Sequence, residues 1–177
     1  MLQAVNSFQA KILNVHLSSL ENFFWKNDKT VKELLKLAKK NNISISFESN
    51  STIFPFTLFP VRTYNPTAFA EVCAEYNLPM TLDTSHIGQS RFDIVDFFKE
   101  NKERVKIIHL SDCDGLNQHL PLGEGKLPLK QFLYIIKKSS FDGLIVFEIH
   151  NFLDAKLRKE KISVLTNSFR FVKTILK

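Results

Sequence analysis

The chain has 177 residues, of which 44% are hydrophobic and 24% are charged, a composition typical of one folded globular domain. It contains no apolar run of about 18 residues, and its first residues do not resemble a signal peptide, so a cytoplasmic protein without a membrane span is expected. The two cysteines, Cys73 and Cys113, indicate neither a disulfide framework nor a cysteine zinc site, and free thiols are expected. The net charge of +6 permits contact with phosphates or nucleic acid without requiring it.

Short apolar runs alternate with amphipathic segments along the chain. The runs predict five strands, at residues 12–16, 43–48, 80–83, 105–109 and 144–148. Helical spacing predicts a first helix that opens with the capping-box pair Thr30 and Glu33, and a second with Pro66 at its first position. Three further helices are expected around residues 94–98, 129–136 and 162–176. Strands that alternate with helices of this length form right-handed crossovers, so the predicted class is α/β with a parallel sheet.

Every predicted strand ends in a residue that can bind a metal ion or transfer a proton. These residues are His16, Glu48, Asp83, His109 and Glu148, separated by intervals of 26 to 39 residues. A (β/α) barrel of about 250 residues has roughly 31 residues per βα unit, and the carboxyl ends of its strands form one rim. No glycine-rich phosphate turn follows any predicted strand, which weakens the case for a nucleotide-binding open sheet. The spacing therefore favours a barrel with the five residues at one mouth.

Alternation within the second strand predicts the direction of its acidic end. Glu48 shares a face with Ser44 and Ser46, so its side chain is expected to point into the barrel mouth. Several carboxylates gathered there would repel one another unless a cation lies among them. Oxygen and imidazole ligands without thiolate are compatible with Mn²⁺, Mg²⁺, Co²⁺ or Zn²⁺. The opposing interpretation is that each acid caps a helix and each histidine is a core residue, which explains five successive strand ends poorly.

Five sequence motifs carry a family resemblance over nearly the whole chain. They are ISISFES, MTLDTSHIG, IIHLSDCDG, HLPLGEGKL and GLIVFEIH. Their order resembles the strand-end motifs of the xylose isomerase-like TIM-barrel superfamily, which includes sugar-phosphate isomerases and epimerases and AP endonuclease family 2, the endonuclease IV type. The metal-binding quartet that the resemblance implies is Glu48, Asp83, His109 and Glu148. The resemblance also implies that His86 contacts the substrate or the metal. His16 resembles a histidine that ends an earlier strand in the nuclease branch, and His119 and Glu124 match a loop that closes over the site, so these three are expected to bind substrate.

The sequence departs from this superfamily at two places. Asn117 stands where the nuclease branch carries an aspartate that helps to hold extra zinc ions, which puts a three-zinc site in doubt. Epimerases of the ketose type often place an arginine a few residues beyond the position of His109, where Gly115 and Leu116 stand here. Sugar specificity is therefore not implied by the resemblance.

Three further features are interpreted from the residues near the motifs. Arg62 lies in the long segment 49–65 beside Glu48, which is expected to form a lid that binds a substrate phosphate or to pack against a neighbouring subunit. Asp112 is expected to support His109 by accepting its second ring proton. His150 is expected to be a loop residue or an indirect support of the site.

The number of predicted strands is smaller than the eight of a complete barrel. Residues 1–177 are therefore expected to form a single partial TIM-barrel domain of about five βα units, with N-terminal units missing. An open arc of strands would expose sheet edges and an apolar interior. The chain is expected to be part of a longer protein, or to complete its core as a homo-oligomer.

The preferred hypothesis for function is a metal-dependent isomerase or epimerase of a sugar or sugar phosphate. Glu48 and Glu148 would remove and return a proton on the carbon next to the substrate carbonyl, while His86 would orient or protonate a substrate oxygen. A zinc phosphodiesterase acting on abasic DNA is the first alternative, which the basic charge favours mildly and Asn117 disfavours. A non-catalytic remnant of a barrel is the second alternative.

Overall fold

The computed structural model of the chain describes residues 12–16, 28–50, 65–150 and 157–177, and for residues 28–31 it describes the backbone alone. Arg62 and most of the expected lid at 49–65 therefore lie outside the described residues. Within these ranges, none of the helices has the length and apolarity that a membrane crossing requires. Cys73 and Cys113 are buried free thiols, as the sequence predicts.

Strands and helices alternate in the order that the hydrophobic pattern predicts. The strands are β1 (Ile12–His16), β2 (Ser44–Glu48), β3 (Met80–Asp83), β4 (Val105–Leu110) and β5 (Leu144–Phe147). The helices are α1 (Asp28–Lys40), α2 (Pro66–Glu75), α3 (Thr84–Gln89), α4 (Ile94–Asn101), α5 (Leu129–Lys138) and α6 (Arg158–Leu176). Helix α3 is the element in this set that the sequence pattern does not predict.

The sheet is parallel throughout and keeps the order of the chain. Its strands lie in the sequence β1-β2-β3-β4-β5, each paired with the next. Successive strands joined by helices on one side produce a sheet that curls, and the five strands form a half-barrel. The prediction of a partial parallel TIM barrel is thereby confirmed.

The two faces of the half-barrel differ in polarity. The outward side chains of Phe47, Leu82 and Ile108 are fully buried in the core beneath the helix layer. Burial of a side chain of this size contributes about 1.5 to 3 kcal/mol, so this core holds the helices on the sheet. On β2 and β3 the inner face instead carries polar residues such as Ser46 and Thr81, whose hydroxyl oxygens lie 2.8 Å apart. The side of the mouth that these two strands form is therefore polar.

Capping groups determine where the helices begin. The side chain of Asn65 accepts two backbone N–H groups at 2.9 and 3.3 Å, and Pro66 is the first residue of α2, as predicted. Helix α1 begins at Asp28, before the predicted capping position Thr30. The predicted start of α1 is therefore wrong, because the helix extends into the polar residues that precede its apolar stripe.

Candidate metal centre and active site

The strand-end residues lie together at the carboxyl rim of the half-barrel. His16 pairs in register with Glu48, and Asp83 pairs with His109. Glu148 directly follows the last residue of β5, and its backbone N–H still bonds to β4, at 3.2 Å. Parallel strands deliver their carboxyl ends to one edge of the sheet, so this convergence follows from the fold.

Four of these residues form a cluster compact enough for one cation. One side-chain atom from each of Glu48, Asp83, His109 and Glu148 lies within 4.8 Å of those of the other three. Glu48 and Asp83 are fully buried, whereas His109 and Glu148 are half-buried. The structure therefore brings together all four residues of the expected quartet.

The two oxygens of Asp83 have different surroundings. Oδ1 accepts the backbone N–H of His86 at 2.8 Å and so caps α3. Oδ2 is buried and has no hydrogen-bond partner among the described residues, and the ring nitrogens of His109 and His119 lie 4.0 Å away. A buried charged oxygen without a partner is strongly unfavourable. One oxygen of this acid therefore caps a helix, while the other is left for a ligand at the rim.

His109 lies between two glutamates. Its Nδ1 is 3.2 Å from Glu48 Oε1, in the geometry of a hydrogen bond, and 2.6 Å from Glu148 Oε2. A ring nitrogen carries at most one hydrogen, and the buried Glu148 Oε2 makes no directed hydrogen bond to a described residue. One proton does not satisfy both carboxylates, whereas a cation between them would accept lone pairs from all three groups.

The electrostatics of the cluster show the same conflict. Burial raises the pKa of Asp83 well above its ordinary value, and the charges of Glu48 and Glu148 raise it further. Burial also acts to raise the pKa of Glu148, but the contacts with His109 and Asp83 outweigh it and bring that pKa to about 2. Burial lowers the pKa of His109, yet the two glutamates raise it to about 10. Without a cation, these shifts favour a proton on Asp83, directed toward Glu148, and a second proton on His109, which together offset part of the negative charge of the cluster.

All five histidines of the chain lie at this rim. The ring centres of His16 and His86 are 6.1 Å apart, those of His86 and His119 are 5.2 Å apart, and those of His119 and His150 are 4.0 Å apart. The fifth is His109 of the quartet. Folding gives no reason for histidines to collect in one place, whereas imidazole is the commonest metal ligand and titrates near neutral pH. Their concentration here makes this rim the candidate functional site.

The loop after β2 holds His86 in one tautomer. The Nδ1 atom of His86 lies 2.9 Å from the carbonyl oxygen of Ser49. A carbonyl only accepts hydrogen bonds, so Nδ1 carries the hydrogen and Nε2 presents its lone pair. Burial lowers the pKa of His86 below its ordinary value, although the charge of Glu48 opposes this. A neutral ring with a fixed tautomer is suited to orienting a substrate hydroxyl.

Two serines and a strained backbone position His119. Its φ is 54°, in the left-handed region that residues other than glycine rarely adopt. Its backbone N–H donates to Ser85 Oγ at 2.8 Å, and its Nδ1 lies 3.4 Å from Ser111 Oγ. Burial and, to a smaller extent, the nearby His150 lower the pKa of His119 to about 4. The loop thus presents a neutral imidazole to the cluster.

Asp112 does not have the role that the sequence suggested. Its carboxylate accepts backbone N–H groups at 2.9, 2.9 and 3.1 Å, donated by Cys113, Gly123 and Leu127. No hydrogen bond joins it to His109 within the described part of the chain. The prediction that Asp112 supports His109 is therefore wrong, because the carboxylate is occupied by the backbone of its own loop.

The remaining residues that were expected to contact substrate differ in position. His16 lies at the margin of the cluster, with Nε2 3.7 Å from Glu48 Oε2 and a side chain that is 43% exposed. Glu124 is exposed in a turn, and in the described ranges no hydrogen bond or ion pair joins its carboxylate to the cluster. Arg62 lies outside the described residues.

Asn14 was not predicted as part of the site, and His150 was expected only as a loop residue or an indirect support of it. Asn14 donates from Nδ2 to Glu48 Oε2. His150 stacks on His119 and places Nε2 4.0 Å from Glu148 Oε1. Asn14 stands two residues before His16 on β1, so alternation gives it the inward direction of that histidine. That parity was the signal available in the sequence.

The residues at the rim fit a divalent cation. The quartet supplies three carboxylates and one imidazole, and two of the carboxylate oxygens are buried without a hydrogen bond to a described residue. Oxygen-rich sets with an imidazole bind Mn²⁺, Mg²⁺, Co²⁺ or Zn²⁺, and this donor set does not choose among them.

Comparison with known proteins places this geometry among related folds. The sequence model of a family described as xylose isomerase-like TIM barrel matches residues 2–168. No curated protein matches the chain by sequence. Similar solved structures include a D-tagatose 3-epimerase-like protein, with TM-score 0.69 and 19% identity over 99% of this chain and 68% of the other.

Two further solved structures are similar in fold. A xylose isomerase domain protein from Alicyclobacillus acidocaldarius has TM-score 0.71 and 12% identity, over 94% of this chain and 64% of the other. A D-psicose 3-epimerase from Clostridium cellulolyticum H10 has TM-score 0.66 and 13% identity, over 84% of this chain and 55% of the other. The chain therefore spans 55 to 68% of the length of these three structures. At such low identities, the similarity shows the fold alone. The activity depends on the residues of the site.

Proposed function

This chain belongs to the xylose isomerase-like TIM barrel family, and on that premise we propose that it is a metal-dependent isomerase or epimerase of a sugar or sugar phosphate. The observation that carries the proposal is the position of two glutamates around one imidazole. Glu48 on β2 and Glu148 after β5 approach His109 Nδ1 at 3.2 and 2.6 Å. Several structures with this fold are named as sugar epimerases, which supports the reaction class.

The proposed roles divide between metal binding and proton transfer. Glu48, Asp83, His109 and Glu148 would hold the cation. A bound divalent cation polarises a substrate carbonyl and so makes the hydrogen on the neighbouring carbon more acidic. Glu48 and Glu148 would remove and return that proton from the two sides of the mouth. A well-placed acid or base of this kind typically contributes about 10² to 10⁴ in rate.

The histidines that surround the quartet would orient the substrate. His86 has its Nδ1 hydrogen committed to the Ser49 carbonyl, so its Nε2 would accept a hydrogen bond from a substrate hydroxyl. His16 and His119 flank His86 on its two sides, with ring centres 6.1 and 5.2 Å away. A sugar that binds at the mouth would therefore meet three imidazoles above the carboxylates.

The experiment that tests the function is isotope exchange. Metal-loaded protein is incubated with a panel of ketoses and ketose phosphates in D₂O, and NMR measures deuterium on the carbon next to the carbonyl. Wild type should exchange, whereas Glu148→Gln should lose at least about 10²-fold in exchange rate with an unchanged circular dichroism spectrum.

The matched control is Glu103→Gln, which alters a carboxylate whose side chain is 84% exposed. It should exchange like wild type. Exchange by the Glu148→Gln variant at the wild-type rate would exclude Glu148 from proton transfer. A metal-loaded wild type that exchanges no sugar of the panel would count against the isomerase and in favour of a non-catalytic barrel.

Two further groups at the rim, Asp83 with His86 and His119, and His119 with Glu148 and His150, also lie close enough together to hold an ion. The residue at position 117 nevertheless disfavours the phosphodiesterase alternative. Asn117 supplies an amide where the nuclease branch is expected to have a carboxylate, and that amide donates to Asp114 Oδ2 at 2.9 Å. An amide group that is already paired in its own turn is a poor ligand for a further zinc ion.

The inner face of β5 suggests how the open side of the half-barrel is covered. Leu144 and Val146 lie on the inner face beside Glu148 and are 50% and 43% exposed. A second copy of the chain that packs against these apolar side chains would remove them from water. We therefore propose a homo-oligomer that closes the open side of the half-barrel.

A further inference from the structure

A line of hydrogen bonds runs beneath Glu48 across three strands. Asn14 on β1 donates to Glu48 Oε2 on β2. Thr81 Oγ1 on β3 lies 2.8 Å from both Asn14 Oδ1 and Ser46 Oγ. Ser46 and Thr81 are buried. These residues lie on the inner face of the half-barrel, one layer below the rim, and the amide of Asn14 is partly buried there.

The chemistry of the partners fixes the direction of each bond in this network. A carboxylate only accepts, so the amide nitrogen of Asn14 faces Glu48 and its oxygen faces Thr81. An amide oxygen also only accepts, so the Thr81 hydroxyl donates to it, and the Ser46 hydroxyl donates to Thr81. The series of donated hydrogen bonds, from Ser46 through Thr81 and Asn14, therefore ends at Oε2 of Glu48.

The two oxygens of Glu48 are divided between this network and the cluster. Oε2 receives the Asn14 amide, whereas Oε1 faces His109 and His86 at 3.2 and 3.5 Å. A carboxylate without such an anchor rotates about its last bond and offers either oxygen to the mouth. We propose that Asn14 is a positioning residue that holds Glu48 with Oε1 toward the cation, an inference that rests on the proposed metal-dependent function. Thr81 in turn holds the amide of Asn14.

The test measures the dissociation constant for Co²⁺ of the full chain, by competition with a chelator. Asn14→Ala should weaken Co²⁺ binding by about 10-fold or more, because the outer partners of metal ligands typically account for 10- to 100-fold in affinity. Thr81→Val keeps the shape of the side chain but removes the donor, so it should weaken binding by a smaller factor. Thr81→Ser keeps the donor and should restore nearly the wild-type value.

Two controls separate positioning from a general effect on the fold. Ser44 lies on the same face of β2 as Glu48 but is exposed, so the Ser44→Ala variant should bind Co²⁺ like wild type. A merely structural role would lower the unfolding temperature of the Asn14 and Thr81 variants without separating Thr81→Val from Thr81→Ser in Co²⁺ affinity. That result would overturn the proposal.

Glu48→Gln distinguishes failure of this inference from failure of the proposed function. If that variant loses Co²⁺ affinity while Asn14→Ala and Thr81→Val bind like Ser44→Ala, the positioning role is wrong and the metal centre stands. If Glu48→Gln itself binds Co²⁺ like wild type, Glu48 is not a ligand, and the metal centre as proposed is wrong together with the role of Asn14.

Discussion

Asp83 serves the fold with one oxygen and the candidate metal centre with the other. Oδ1 caps α3, while Oδ2 is buried without a partner among the described residues. Burial and two neighbouring carboxylates raise the pKa of Asp83. The folded protein therefore binds a proton here that the unfolded chain has already released. Without a cation, this site makes the fold less stable as the pH rises above the ordinary pKa of an aspartate.

Replacement of Asp83 by Asn separates the two roles. The amide oxygen still caps α3, and the buried charge is removed. At neutral pH the metal-free variant should be at least as stable to heat as wild type. Added Mn²⁺ or Co²⁺ should stabilise wild type by about 2.7 kcal/mol at a hundredfold excess over the dissociation constant, and should leave the variant unchanged. Thermal unfolding measures both effects, and a variant that the cation still stabilises would show that Asp83 is not a ligand.

Residues of this site differ in how far the sequence could predict them. Glu48 was predictable because the alternation of β2 separates an apolar face from a face with small polar side chains. The direction of Asn14 could also be predicted, because it shares a face of β1 with His16. Its bond to Glu48 could not, because contacts between strands leave no pattern in the sequence. His150 lies beyond the end of β5, where the periodicity of a strand no longer determines direction.

The loop between β4 and α5 is organised around Asp112. The backbone of Asp112 pairs with Leu120 in both directions at 2.9 Å, and its carboxylate binds three further backbone N–H groups. The loop carries His119 to the rim. The sequence could not predict this arrangement, because backbone donors leave no periodic pattern of side chains. Helix α3 escaped prediction for a related reason, since its six residues are too few for an amphipathic period.

Of the three glycines in this loop, Gly125 leaves the least room for a side chain. A methyl group there would overlap the carboxylate of Asp112 and the carbonyl oxygen of Cys113. Gly125→Ala should displace the loop and lower the free energy of unfolding by about 1 to 3 kcal/mol. Leu116→Ala, in the same loop at an exposed position, should leave stability unchanged. Urea unfolding compares the three proteins. Equal midpoints for Gly125→Ala and wild type would mean that the loop accommodates the methyl group with no loss of stability.

For the whole molecule, the strand order could be predicted because right-handed crossovers leave few arrangements for alternating strands and helices. The way in which the inner face is covered could not, since it depends on surfaces that no local pattern encodes. On β5, Ile145 and Phe147 pack on the core, while Leu144 and Val146 remain half exposed on the other face. Such side chains are typical of an interface rather than of a free surface.

The proposed homo-oligomer predicts that the 177-residue chain elutes as an assembly in size-exclusion chromatography with light scattering. Val146→Lys should shift it toward the monomer, because an unpaired ammonium buried at an interface costs several kcal/mol. Leu116→Lys adds the same charge in an exposed loop and should not. Val146 pairs in register with His109, so the Co²⁺ affinity of the same samples distinguishes lost association from a damaged site. If the wild-type chain is a stable monomer, the inner face needs no second copy, and the contact proposed at Val146 does not exist.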